Sequence, residues 1–204
     1  MMNRRDLIRG AAVAIPGSVA LSMLSAKWAF AEGVDDFDGP VDVLNYALTL
    51  EYLEAEFYRQ GNEAGLAEGR AADYLSTIQT DEEAHVMALQ DTIAQLGGTA
   101  VPAPQVDFGQ AFGSLESYLE TAYTFENLGV QAYLGAAPAL FQQKELLSAA
   151  ASIFGVEARH AAIIANLQEK AAEGGVYQGA VETPADRSTV LQAASPFIVA
   201  ARTY

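Results

Sequence analysis

The strongest constraint on this chain is a pattern that occurs twice. Glu51 and Tyr58 stand seven residues apart, and Glu82 and His85 follow, three apart. Glu126 and Tyr133, then Glu157 and His160, repeat both spacings 75 residues later without a slip, and Leu53/Leu128 and Ile78/Ile153 keep the same offset. His85 and His160 are the only histidines in the chain. Residues three apart on a helix share a face, so each Glu-x-x-His points its two side chains the same way. The second pair lies in Phe154–Ile164, which is apolar almost all round and predicts a buried helix. A carboxylate buried there without a partner costs several kcal/mol or neutralises itself. Two Glu-x-x-His pairs on inward faces therefore have the spacing of metal ligands, and the repeat is a duplicated helical hairpin.

The rest of the chain fits an all-α fold. Helical spacing of Leu44, Ala47, Leu48, Glu51, Glu54, Ala55 and Tyr58 predicts a first helix from near Val41 to Arg59, entered through Asp38-Gly39-Pro40. Gly61 to Gly69 reads as a short connection, which makes the second helix, from about Ala71 to Leu96, antiparallel to the first. Gly97-Gly98 stops it. Thr99 to Gly113 carries Pro102, Pro104 and Gly109 and no periodicity, as the long crossover of a doubled hairpin requires. Ser114 and Ser117 begin a third helix that runs to Ala136 before Pro138. A fourth extends from about Lys144 to Glu173, ended by Gly174-Gly175. The six candidate ligands lie near the four helix midpoints, so an up-and-down bundle brings them to one level. In the tail, 176–204, a short fifth helix from Thr183 to Ala194 is expected to pack across the bundle or to form a subunit contact in a homo-oligomer.

Residues 1–31 read as a twin-arginine export signal. Arg4-Arg5 open it, an Ala- and Gly-rich apolar run from Ala11 to Ala26 follows, and Ala29-Phe-Ala31 supplies a cleavage site. The run is short and only mildly apolar for a membrane anchor. This predicts a periplasmic or secreted protein, free of the membrane after cleavage and folded before export. Residues 32–175 then form the bundle. With no cysteine in the chain, disulfides, iron–sulfur clusters and thiolate zinc sites are excluded. Removing 1–31 takes four basic residues and one acidic residue, lowering the net charge from −15 to −18. A surface that acidic disfavours nucleic acid and anionic membranes.

A Glu from each of two helices and a Glu-x-x-His from each of two others resembles the ligand set of ferritin-like di-iron and di-manganese proteins. With the tandem arrangement, the twin-arginine leader and the Pro-Phe tail, the chain looks most like the bacterial ferritin-like group that includes desiccation-related proteins. The likeness covers nearly all of the chain after the leader. It implies a ferritin-like four-helix bundle in which Glu51 and Glu126 are terminal or chelating carboxylates. Glu82 and Glu157 would bridge two metals, and His85 and His160 would bind one each. Carboxylate and imidazole suit two Fe or Mn ions, with Zn a frequent occupant. One imidazole per ion leaves positions open for water, O2 or peroxide.

Tyr58 and Tyr133 read either as core aromatics or as hydrogen-bond donors to ligands on another helix. Glu54 and Glu83 match Gly129 and Ala158 in the other half and are expected to be solvated or to sit beside the ligands. Arg159 is expected to pair with a nearby acid. Three functions stay open: a redox enzyme with ferroxidase- or catalase-like chemistry in stress protection, a metal-binding protein without turnover, and a structural stress or desiccation-related protein with a vestigial site. A mineral-storing cage ranks below these, because the sequence shows no symmetry contacts.

Overall fold

Pro40 opens α1 (Pro40–Glu63), its fixed φ suiting the first helical position and its missing N–H costing nothing there. A five-residue link leads to α2 (Gly69–Gln95), which packs antiparallel on α1 and ends where Gly97 turns left-handed and Gly98 N–H donates to the Ile93 carbonyl. The second hairpin pairs α3 (Leu115–Ala136) with α4 (Lys144–Leu167) through a 3-10 turn at Ala137–Leu140. Ser114 caps α3: its hydroxyl accepts from Ser117 N–H while its own N–H donates to Ser117 Oγ. A short helix, α5 (Arg187–Ala194), follows with Asp186 as its N-cap. The computed structural model describes residues 37–199. The expected export signal at 1–31 lies outside the described residues.

The bundle is the expected doubled hairpin, and the crossover between α2 and α3 is fixed at two places. Asn45 on α1 accepts from Val101 N–H and donates to the Thr99 carbonyl. Further on, β1 (Gln105–Val106) pairs antiparallel with β2 (Ile198–Val199), a two-residue ladder that joins the crossover to the tail. Phe108 and Phe197 then pack with Phe57, Phe112, Tyr118 and Phe125. Phe57 is fully buried at the centre of that cluster, with ring centroids 4.9 Å from Phe125 and 5.2 Å from both Phe108 and Tyr118. Burial of a ring of this size is worth about 1.5–3 kcal/mol. The tail packs on the bundle itself. Val190 and Ala194 are fully buried, and Arg187 forms a two-bond pair with Asp42 of α1 at 2.7 and 3.0 Å.

Four local expectations change. Gly61 does not end α1, because the Tyr118 ring fills the space where a Cβ would be and tertiary packing overrides the weak helix propensity of glycine. The fourth helix ends at Leu167 rather than Glu173: Glu169 adopts a left-handed φ of 54°, and Lys170 N–H closes back on the Ala165 carbonyl at 3.0 Å. The fifth helix starts at Arg187 rather than Thr183, because Asp186 supplies the cap. Finally, α4 is not buried all round. Only Glu157, His160, Ala161, Ile164 and Ala165 are buried, while Ala149, Ala151 and Ser152 face outward. Alanine reads as apolar in a periodicity, yet it exposes little area and needs no partner. By length and composition alone α4 is apolar enough to cross a membrane, one such helix among the described residues.

Candidate metal centre

All six sequence-predicted residues meet in the bundle core. Glu51, Glu82, Glu126 and Glu157 are 0% exposed, and His85 and His160 are 8% and 3% exposed. Each comes from the middle of its helix, where the stripe that packs the bundle turns it inward. Their donor atoms form two groups, each with all atoms within 4.8 Å of one another: Glu51, Glu82, His85 and Glu157, and Glu82, Glu126, Glu157 and His160. Glu82 and Glu157 belong to both. The imidazole centroids stand 6.2 Å apart on either side of that shared pair.

Several of these donors are left unsatisfied by their neighbours. His160 Nδ1 lies 2.8 Å from Glu82 Oε1 and 3.4 Å from Glu126 Oε2, yet it is aligned for a hydrogen bond with neither. Glu82 Oε1, Glu126 Oε2 and both oxygens of Glu157 are likewise buried without a hydrogen-bond partner. Orphaned buried acceptors of this kind are costly, and native proteins keep them where something else satisfies them. Carboxylate oxygens and imidazole nitrogens gathered in this way fit divalent cations.

Hydrogen bonds fix the two outer glutamates. Tyr58 donates to Glu126 Oε1 and Tyr133 donates to Glu51 Oε1, so each half of the duplication orients the glutamate of the other. Both tyrosines are buried, and they serve as core aromatics and donors at once. His85 Nδ1 lies 3.0 Å from Glu82 Oε2, 3.1 Å from Glu51 Oε2 and 3.3 Å from Glu157 Oε1.

Protons offset part of the charge in the metal-free chain. Burial holds the Glu51 carboxyl up at about 8, and burial together with the surrounding carboxylates raises Glu157 well above the usual range. Glu126 is also raised by burial. Although burial opposes it, contact with His160 and His85 pulls Glu82 down to about 2. Burial opposes the histidine charges as well, but the surrounding glutamates outweigh it and push His85 up to about 12 and His160 up to about 11. Raised carboxyls and raised imidazoles both favour bound protons, and these offset charge that bound cations would otherwise offset.

Two residues outside the six enter the site. Asp81, on α2, lies with Oδ2 3.1 Å from His160 Nε2 and holds that ring from the outside. Its counterpart in the duplication is Val156, so the repeat gives no sign of it. Glu54 is not solvated: it is 3% exposed and faces Gly129, its own counterpart. Being three residues after Glu51 was the signal for its inward direction. Burial first, then Glu157, Glu82, Glu51 and Glu126 in that order, raise its carboxyl well above the usual range. Glu83 is exposed as expected and accepts from Gln79. Arg159 is exposed and pairs with no acid among the described residues.

A four-helix bundle whose core holds four glutamates and two histidines in overlapping donor sets is a carboxylate-bundle protein of the ferritin-like class. The ferritin-like domain model matches residues 39–170, and the chain belongs to that family. Among solved structures it is similar to one described as ferritin-like, diiron-carboxylate proteins from Bacillus anthracis str. Ames. The two share 22% identity and a TM-score of 0.55, over 62% of this chain and 93% of that one. At that identity the likeness establishes the fold. No curated protein matches the chain.

Proposed function

We propose that this is an exported protein that holds two Fe or Mn ions between its helices and carries out redox chemistry on O2 or peroxide, ferroxidase- or catalase-like, in stress protection. One observation carries the proposal: Glu82 and Glu157 belong to both donor groups, as two bridging carboxylates between neighbouring ions would. The solved relative is described as a diiron-carboxylate protein, which supports the same assignment. Export rests on the twin arginines and the cleavage pattern within residues 1–31.

The residues define what each part contributes. Glu51, Glu82, His85 and Glu157 would hold one ion, and Glu82, Glu126, Glu157 and His160 the other. A bound pair of such ions supplies two-electron exchange with a small oxygen species. Tyr133 and Tyr58 keep Glu51 and Glu126 in place, and Asp81 sets the orientation of the His160 ring. Complete burial of the four glutamates would shield bound ions from bulk solvent. The same burial favours a second reading, a protein that holds metal without turnover.

The test is turnover by protein loaded with Fe(II) or Mn(II). Consumption of peroxide, or Fe(II) oxidation by O2, that is lost in Glu157→Ala supports the redox proposal. A fully loaded protein that turns over neither leaves only the metal-holding reading.

A further inference from the structure

The duplication is broken where it matters most. Position 54 is glutamate in the first half and position 129 is glycine in the second, and both face the metal centre. A Cβ on Gly129 would stand 2.5 Å from Glu157 Oε2 and 3.3 Å from Glu54 Oε1. The glycine therefore makes the space that these two carboxylates share. Glu54 is 97% buried, accepts no hydrogen bond and meets no cation among the described residues. Ionising a carboxylate buried in this way is costly unless a positive charge accompanies it.

We propose that Glu54 is an additional carboxylate donor to the metal position formed by Glu51, Glu82, His85 and Glu157, so that the two positions are unequal and this one fills first. The inference rests on the dinuclear reading above. Glu54 lies one turn after Glu51 on α1 and borders the Gly129 space together with Glu157, both members of that donor group, while standing outside both groups itself. The other position has its own extra acid in Asp81, which acts through His160. The Asp81 side chain is 44% exposed, so water and salt screen it, whereas Glu54 acts in a low-dielectric core. The inner acid prevails, and the Glu51 side is the tighter.

The experiment is stepwise Mn(II) titration of metal-free protein, with free Mn(II) read by its electron paramagnetic resonance signal. The chains compared are wild type, Glu54→Gln, His85→Ala, His160→Ala, and Glu54→Gln combined with each histidine variant. Wild type should bind two Mn(II) in separated steps. Glu54→Gln should weaken the first step at least tenfold and leave the second within twofold. In the His160→Ala background, where the Glu51 side remains, Glu54→Gln should cause the same loss; in the His85→Ala background it should cause none. The metal-free Glu54→Gln chain should melt no lower than wild type, since it loses an unpaired buried acid, whereas a packing role would lower its melting point. Equal losses in both backgrounds, or none in either, overturn the Glu54 assignment. If the two histidine single variants each still bind two Mn(II), the dinuclear reading itself fails.

Discussion

Tyr133 of α3 donates its phenolic hydroxyl to Glu51 of α1, tying a candidate ligand in the first half of the duplication to a side chain in the second. Tyr58 makes the mirror-image bond to Glu126. Each half of the repeat therefore completes the site of the other, and a single hairpin cannot build it.

Removing one of these bonds should loosen one ligand without emptying the core. Tyr133→Phe keeps the ring and its packing, so the bundle should still fold. Metal affinity should fall roughly 10–100-fold, as is usual for a lost outer partner. Isothermal titration with Mn(II) reads the change, and Tyr58→Phe should match it.

Asp81 acts on His160 alone, so its loss should be felt at one metal position. Asp81→Ala should lower affinity at the Glu126 side by roughly tenfold or more, with Asp81→Asn in between. Stoichiometric titration should show the second Mn(II) step weakened and the first unchanged.

Gly129→Ala is the variant in which helix propensity and function oppose each other. Alanine is favoured over glycine in a helix interior by about 0.5–1 kcal/mol. Here its methyl would meet Glu157 Oε2 at 2.5 Å. Displacement of Glu157, which belongs to both donor groups, should abolish tight binding of both ions. Circular dichroism of the variant should remain helical while its metal content collapses.

The metal-free and metal-loaded proteins should respond to pH in opposite ways. Glu51 titrates near 8 in the fold against an ordinary 4.5, so its contribution to stability is complete below 4.5 and lost as pH rises through 8. His85, raised from 6.5 to about 12, likewise contributes fully below 6.5 and loses that contribution as pH rises through 12. Glu82, lowered to about 2, contributes above 4.5 and loses its contribution as pH falls through 2. The metal-free chain should therefore be most stable in mildly acidic solution and weaken toward alkaline pH. Metal must displace those protons, so its stabilisation should grow as pH rises. Melting curves from pH 4 to 9, with chelator and with Mn(II), should diverge with increasing pH.

The central features were legible because helical periodicity and the 75-residue repeat carry direction as well as position. Glu51, Glu82, His85, Glu126, Glu157 and His160 all lie on inward faces, and the structure gathers them as those faces require. What the sequence hid depends on contacts between helices. Asp81 reaches His160 across the bundle, and its counterpart Val156 erases it from the repeat. For Glu54 the sequence left two positions open, solvated or beside the ligands, and only the space at Gly129 decides for the second. The ladder between Val106 and Ile198 joins two-residue strands far apart in the chain, too short to leave a periodic signal. The left-handed turn at Glu169 occupies a non-glycine residue, so the two glycines further on drew the helix end too late.

Metal content, measured by mass spectrometry on protein purified after export by its own leader, tests the central claim most directly. Two Fe or Mn per chain are expected in the wild type and at most one in His85→Ala and in His160→Ala. A wild-type chain with no bound metal, or with metal that neither substitution removes, would contradict that claim.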